Sequence, residues 1–91
     1  MAEKILKTGL STYSIKNGMF IHHEALILND LEIPLDAIKG VVVEPIGVIE
    51  CKVRFLGIGE DLYTVEENQI WAHKLQQFVE ENLPKNEIEV R

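Results

Sequence analysis

The chain has 91 residues, a formal net charge of -6 and one cysteine, Cys51. That length holds one small domain near the lower limit for a single hydrophobic core. The acidic balance argues against a nucleic-acid backbone or an anionic membrane as partner, since both attract Lys and Arg, and a lone cysteine makes no intramolecular disulfide.

Residues 1–10 alternate weakly, with Ile5, Leu6 and Leu10 among lysines. They fit a first strand, a short helix or a docking arm. This N-terminus has no long apolar run, so no signal peptide is expected. No stretch reaches the length of a membrane span. A soluble cytoplasmic protein is the resulting expectation.

Leu10 to His23 holds a hairpin signal, with Asn17-Gly18 between two apolar-rich runs. Asn-Gly supplies the positive φ angles of a two-residue turn. The register then sets Lys16 against Met19, Ile15 against Phe20 and Tyr13 against His22. Tyr13, Ile15 and Phe20 share the core side, and Ser14, Lys16 and His23 point away. Ala25–Leu28 is a short apolar run closed by a turn at Asn29-Asp30. Leu31–Ile33 is extended, as the residue before Pro34 should be. Residues 34–38 form a bend that leads into a strand over Gly40–Glu44, which Pro45 and Gly47 break. Val48–Leu56 alternates, with Ile49, Cys51, Val53 and Phe55 on a buried face and Glu50, Lys52 and Arg54 on a solvated one. Gly57 and Gly59 turn the chain into a last strand, Asp61–Val65.

The spacing predicts a helix over Val65–Pro84, with Ile70, Trp71, Leu75, Phe78 and Val79 on one face and Leu83 at its edge. Two start signals compete. Thr64 with Glu67 fits a capping box, and Asn68 fits an N-cap. Glu66 and Glu67 complement the helix dipole in either case. Trp71 and Phe78 read as core plugs, so Trp71→Ala would cost about 3–5 kcal/mol. The polar face keeps His73, Gln76, Gln77 and Glu80 for a partner. The tail 85–91 reads as frayed, although Ile88 and Val90 alternate. About six strands followed by one helix make an α+β, mostly β domain over residues 1–91. The architecture is an antiparallel sheet or open barrel closed by the amphipathic C-terminal helix.

That order resembles the pleckstrin-homology-like superfold of small bacterial domains. The matching features are the Asn17-Gly18 hairpin, the passage Ile33-Pro34-Leu35-Asp36-Ala37-Ile38 into Val41-Val42-Val43, and the closing strand-helix pair with Trp71. The resemblance implies a meandering barrel closed by the helix. Phosphoinositide-binding relatives cluster cations in the first hairpin loop. Here that loop offers Lys16 alone, so the phosphate site does not carry over.

Chemistry finds little support in the residues. His22 and His23 point to opposite strand faces and cannot chelate together, and His22 with Glu24 makes two ligands at most. Cys51 lies on an apolar face, which suits an inert thiol. Ser11 and Ser14 have no nucleophile-elbow context. Gly57-Ile58-Gly59 lacks the helix of a phosphate loop. The expectation is a non-enzymatic module without metal or cofactor. It would bind a protein partner or itself through a sheet edge or the surface formed by His73, Gln76, Gln77, Glu80, Lys52 and Arg54. Its core would be Ile15, Phe20, Cys51, Val53, Phe55, Trp71, Leu75 and Phe78. The alternative is a small-ligand or lipid-headgroup sensor with its site near Trp71 and Tyr13.

Overall fold

The Asn17-Gly18 turn sets the first half of the molecule. Both residues take the left-handed backbone, with φ of 56° and 76°, the conformation a two-residue hairpin turn requires. The computed structural model describes residues 3–9, 11–24 and 30–83. β2 (Ser11–Lys16) and β3 (Met19–Glu24) flank the turn. They pair Lys16 with Met19, Ile15 with Phe20 and Tyr13 with His22, the register the turn predicts. β1 (Lys4–Lys7) joins β2, and β4 (Leu31–Pro34) joins β3, so one antiparallel sheet runs β1-β2-β3-β4. The N-terminal residues therefore include a strand. Leu10, the run Ala25–Leu28, Asn29, Pro84 and the tail with Ile88 and Val90 lie outside the described residues.

A single 3-10 turn, Leu35–Ala37, follows Pro34 and ties the two halves together. Leu35 N–H donates to Gly18 O at 2.8 Å, and Lys39 N–H donates to Leu56 O at 2.7 Å. β5 (Gly40–Pro45), β6 (Glu50–Leu56) and β7 (Asp61–Asn68) form a second antiparallel sheet in that order. The strands thus make two sheets of four and three, not one closed barrel, among the described residues. A Cβ at Gly57, where β6 turns into β7, would lie 2.8 Å from Leu62 Cδ2, so that side chain would have to shift to admit it.

The alternation of β6 holds with one correction. Cys51, Val53 and Phe55 are buried, but Ile49 is 64 % exposed and Val48 98 % exposed. The ladder begins at Glu50, opposite Asn68, so both residues stay in the loop that Pro45 and Gly47 open. There, Ile49 O accepts from Gln69 N–H at 2.6 Å.

The helix is shorter than its sequence pattern. α1 covers Gln69–Glu80, because the ladder with β6 claims Val65–Asn68, pairing Val53 with Val65 and Cys51 with Glu67. Glu66 and Glu67 therefore lie on a strand and not in the first helical turn. Asn68 is the N-cap, its side-chain oxygen accepting from Trp71 N–H at 3.0 Å, and the Thr64–Glu67 capping box does not form. Asn68→Ala is expected to cost about 1 kcal/mol. Urea denaturation would show it, and an unchanged midpoint would refute the capping role.

The buried helix face is Ala72, Leu75 and Val79, with Phe78 and Leu83 partly buried beside it. Ile70, expected on that face, is 67 % exposed. Trp71 is half-buried and does not plug the core. The first helical turn projects past the apolar surface that the strands offer, so burial starts at Ala72. Tyr13, Ile15, Phe20 and Ile33 from the first sheet meet Val41, Val53, Phe55 and Leu75 in one cluster. The Phe20 and Phe55 rings, 5.0 Å apart, join the two sheets.

Candidate functional site

Side-chain hydrogen bonds, and not a backbone ladder, join β2 and β3 of the first sheet to β7 of the second. Tyr13 is fully buried, and its hydroxyl donates to Glu67 Oε2 at 2.5 Å. Thr8 Oγ1 donates to the same oxygen at 3.2 Å. His22 lies beside them, buried and stacked on the Tyr13 ring at 4.6 Å between centroids. Its Nδ1 meets the Tyr63 hydroxyl at 2.5 Å, and its Nε2 meets Ser11 Oγ at 3.1 Å. A buried polar group left unpaired is costly, and here each ring nitrogen finds a partner. Burial holds the His22 pKa below its ordinary value, against the opposing pull of Glu24 and Glu67. Burial, then the hydrogen bond to Glu67 and its charge, pushes the Tyr13 hydroxyl far above its ordinary range, so it remains a donor. Tyr63 is raised as well, by burial and then by Glu24.

Ser11 beside His22 has the outline of a nucleophile and base. The third partner does not complete it. In a Ser-His-Asp arrangement a carboxylate at the other nitrogen orients the ring and stabilises the imidazolium, and here Tyr63 brings a phenol. When Tyr63 donates to Nδ1, Nε2 carries the proton and donates to Ser11. When Nδ1 carries the proton, Nε2 accepts from Ser11. Both tautomers are satisfied and neutral, which suits a structural network.

The sign of the pH dependence follows from the lowered His22 pKa. The unfolded state binds the proton first, near pH 6.5, so stability is full above that pH and falls as pH drops below it. Asp61, whose carboxyl is lowered by its hydrogen bonds to Arg54, loses its contribution only below the ordinary carboxylate range. Urea midpoints should therefore fall between pH 7.5 and 5.5, and His22→Gln should flatten that change. A wild-type midpoint that holds or rises over this interval would contradict the assignment.

A groove of about 650 Å³ opens beside this network. β7 lines it with six consecutive residues, Tyr63 to Asn68, and Gly9, Ser11 and Glu24 face them. Successive strand residues point to opposite faces. A groove that touches every one must run along the strand's edge. Among the described residues β7 has one hydrogen-bonded neighbour, β6, and no described strand pairs with its other edge. Trp71 lines the groove as well, with Lys74 Nζ 5.4 Å from its ring centroid.

The residues expected to form an interaction surface do not come together. Lys52 and Arg54 lie on the face of the second sheet opposite the one that buries Cys51 and Val53, and α1 packs with those core residues. Arg54 is already engaged: Nε and Nη2 donate to Asp61, both at 3.0 Å, and Nη1 donates to Glu44 at 2.7 Å. Lys52 lines the groove, opposite Glu66 in the ladder. Gln76 fastens the helix to β5 by donating to Val41 O at 2.9 Å, and Gln77 donates to Glu81 at 2.9 Å. Glu80 and His73 are exposed, and His73 borders a smaller hollow of about 290 Å³ with Ile49 and Gln69.

His22 and His23 part to opposite faces as expected, His23 Nδ1 lying 2.8 Å from Asp30 Oδ2. Among the described residues no three of His, Cys, Asp and Glu converge as metal ligands, and no helix is long and apolar enough to cross a membrane. Sequence reasoning missed Ser11, Tyr63 and Glu67 as members of one network. A usable signal was present: the hairpin register sets His22 on the core side with Tyr13, where a histidine must find partners. Comparison of the chain with family models, with curated proteins and with solved structures finds no match.

Proposed function

We propose that the protein is a non-catalytic interaction module of pleckstrin-homology-like fold whose recognition element is the edge of β7 that no described strand pairs. Four strands, then three, then one terminal helix support the fold reading. The groove along Tyr63–Asn68 carries the functional reading. An exposed strand edge is a ready template for another strand, and the shape of the groove suits an extended segment laid beside it.

The test is a screen of random extended peptides against the intact protein, read by Trp71 fluorescence and by amide exchange along β7. Binders that shift the tryptophan emission and protect Tyr63–Asn68 are the expected outcome. Binders that protect only α1 would sink the edge assignment.

One observation favours a second reading. Trp71 lines the groove and does not fill the core, so the groove also suits a small ligand or lipid headgroup. Fluorescence titration with metabolites and with headgroup analogues separates the two readings. A small molecule that saturates the emission change without slowing exchange along β7 would favour this one.

A further inference from the structure

The groove selects for charge as well as for shape. Glu24, Glu50, Glu66 and Glu67 line it, and Lys52 is the single cation among its lining residues. Glu67 is tied to Tyr13 and Thr8, and Glu50 and Glu66 are exposed. Trp71 lines it as well, and its ring already carries the Lys74 ammonium. Aromatic faces attract cations through their quadrupole. Six consecutive strand residues span roughly 20 Å at about 3.3 Å per residue, longer than most small ligands.

Resting on the edge-recognition reading above, the geometry points to an extended, lysine- or arginine-bearing protein segment that adds to β7 as a further strand. Its basic side chains lie against Glu24, Glu50 and Glu66, and one of them meets the Trp71 ring. A second copy of this chain is the poorer occupant. Its β7 would bring Asp61, Glu66 and Glu67 against the same acidic edge, and like charges on paired strands are destabilising. The net charge of -6 opposes that pairing further.

Three synthetic peptides as long as β7 test this on the intact protein. One alternates lysine with valine, one alternates threonine with valine, and one repeats the lysine peptide with alternate backbone nitrogens methylated. The lysine peptide is expected to bind about tenfold or more tighter than the threonine peptide, and to weaken as salt rises. Methylation is expected to abolish binding, because strand addition needs those N–H groups. The double variant Glu50→Gln, Glu66→Gln is expected to remove most of the preference for lysine and to leave the fold unchanged.

Equal binding of the lysine and threonine peptides would overturn the basic partner and leave edge recognition standing. A methylated peptide that binds as tightly as its parent would overturn strand addition itself. A concentration-dependent dimer in light scattering, with β7 amides protected, would make a second copy the occupant and overturn the proposal.

Discussion

Phe55→Ala is expected to destabilise the protein by about 3–5 kcal/mol. Phe55 has no exposed surface, and its ring lies 5.0 Å from Phe20 and 6.0 Å from Tyr63. It stands where the two sheets meet, so its removal leaves a void bordered by both. A domain of this size has a total stability of about 5–15 kcal/mol, of which this loss is a large share. Trp71→Ala is the informative comparison. Full burial of Trp71 would put its cost in the same range, but Trp71 is half-buried at the groove. Its truncation should cost clearly less, with the fold intact and the emission signal of the groove lost. Urea denaturation of both variants gives the order. A larger loss for Trp71→Ala would place the tryptophan in the core and remove it from the groove.

The contrast shows what the sequence makes legible. Asn17-Gly18 encodes a turn of fixed geometry, so the register from Lys16–Met19 back to Tyr13–His22 can be read from a few residues. The alternation from Cys51 to Phe55 encodes a half-buried strand in the same local way. The start of α1 is different. Glu66 and Glu67 are good helix formers, and the apolar spacing continues through them. A ladder with β6, closed by residues more than a dozen positions upstream, keeps them extended. The competition between Thr64 and Asn68 as caps is decided by that pairing and not by either residue. Trp71 and Ile70 follow from the same shift, because the helix meets the sheet one turn later than its pattern suggests.

The polar network was the least legible part. Tyr13 and Glu67 lie 54 positions apart, and His22 and Tyr63 lie 41 apart. None of these residues carries a local motif. Glu67 sits in an acidic run that reads as a solvated face, and only the packing of β7 against β2 and β3 turns it inward. The groove arises from the same event, since it is the space left where two sheets meet through side chains and do not close by backbone hydrogen bonds.

Tyr13→Phe tests that seam directly and is expected to cost about 1.5–3 kcal/mol, the range for a hydrogen bond to a charged group. The substitution keeps the ring, its stacking on His22 and its place beside Phe20. It removes only the donor to Glu67. Glu67 then keeps Thr8 as a donor at 3.2 Å, which limits the loss. Glu67→Gln removes the charge from the other side. If the two groups act as one unit, the double variant should lose less than the sum of the single losses. Urea denaturation at pH 7.5 measures all three, at a pH where His22 is neutral and does not contribute to the difference. The seam should also loosen locally, with faster amide exchange over Val65–Asn68 than over the β6 residues paired with them. Strictly additive losses would show that Tyr13 and Glu67 do not act as one unit, and a Tyr13→Phe midpoint equal to wild type would show that this hydrogen bond contributes nothing to the docking of the sheets.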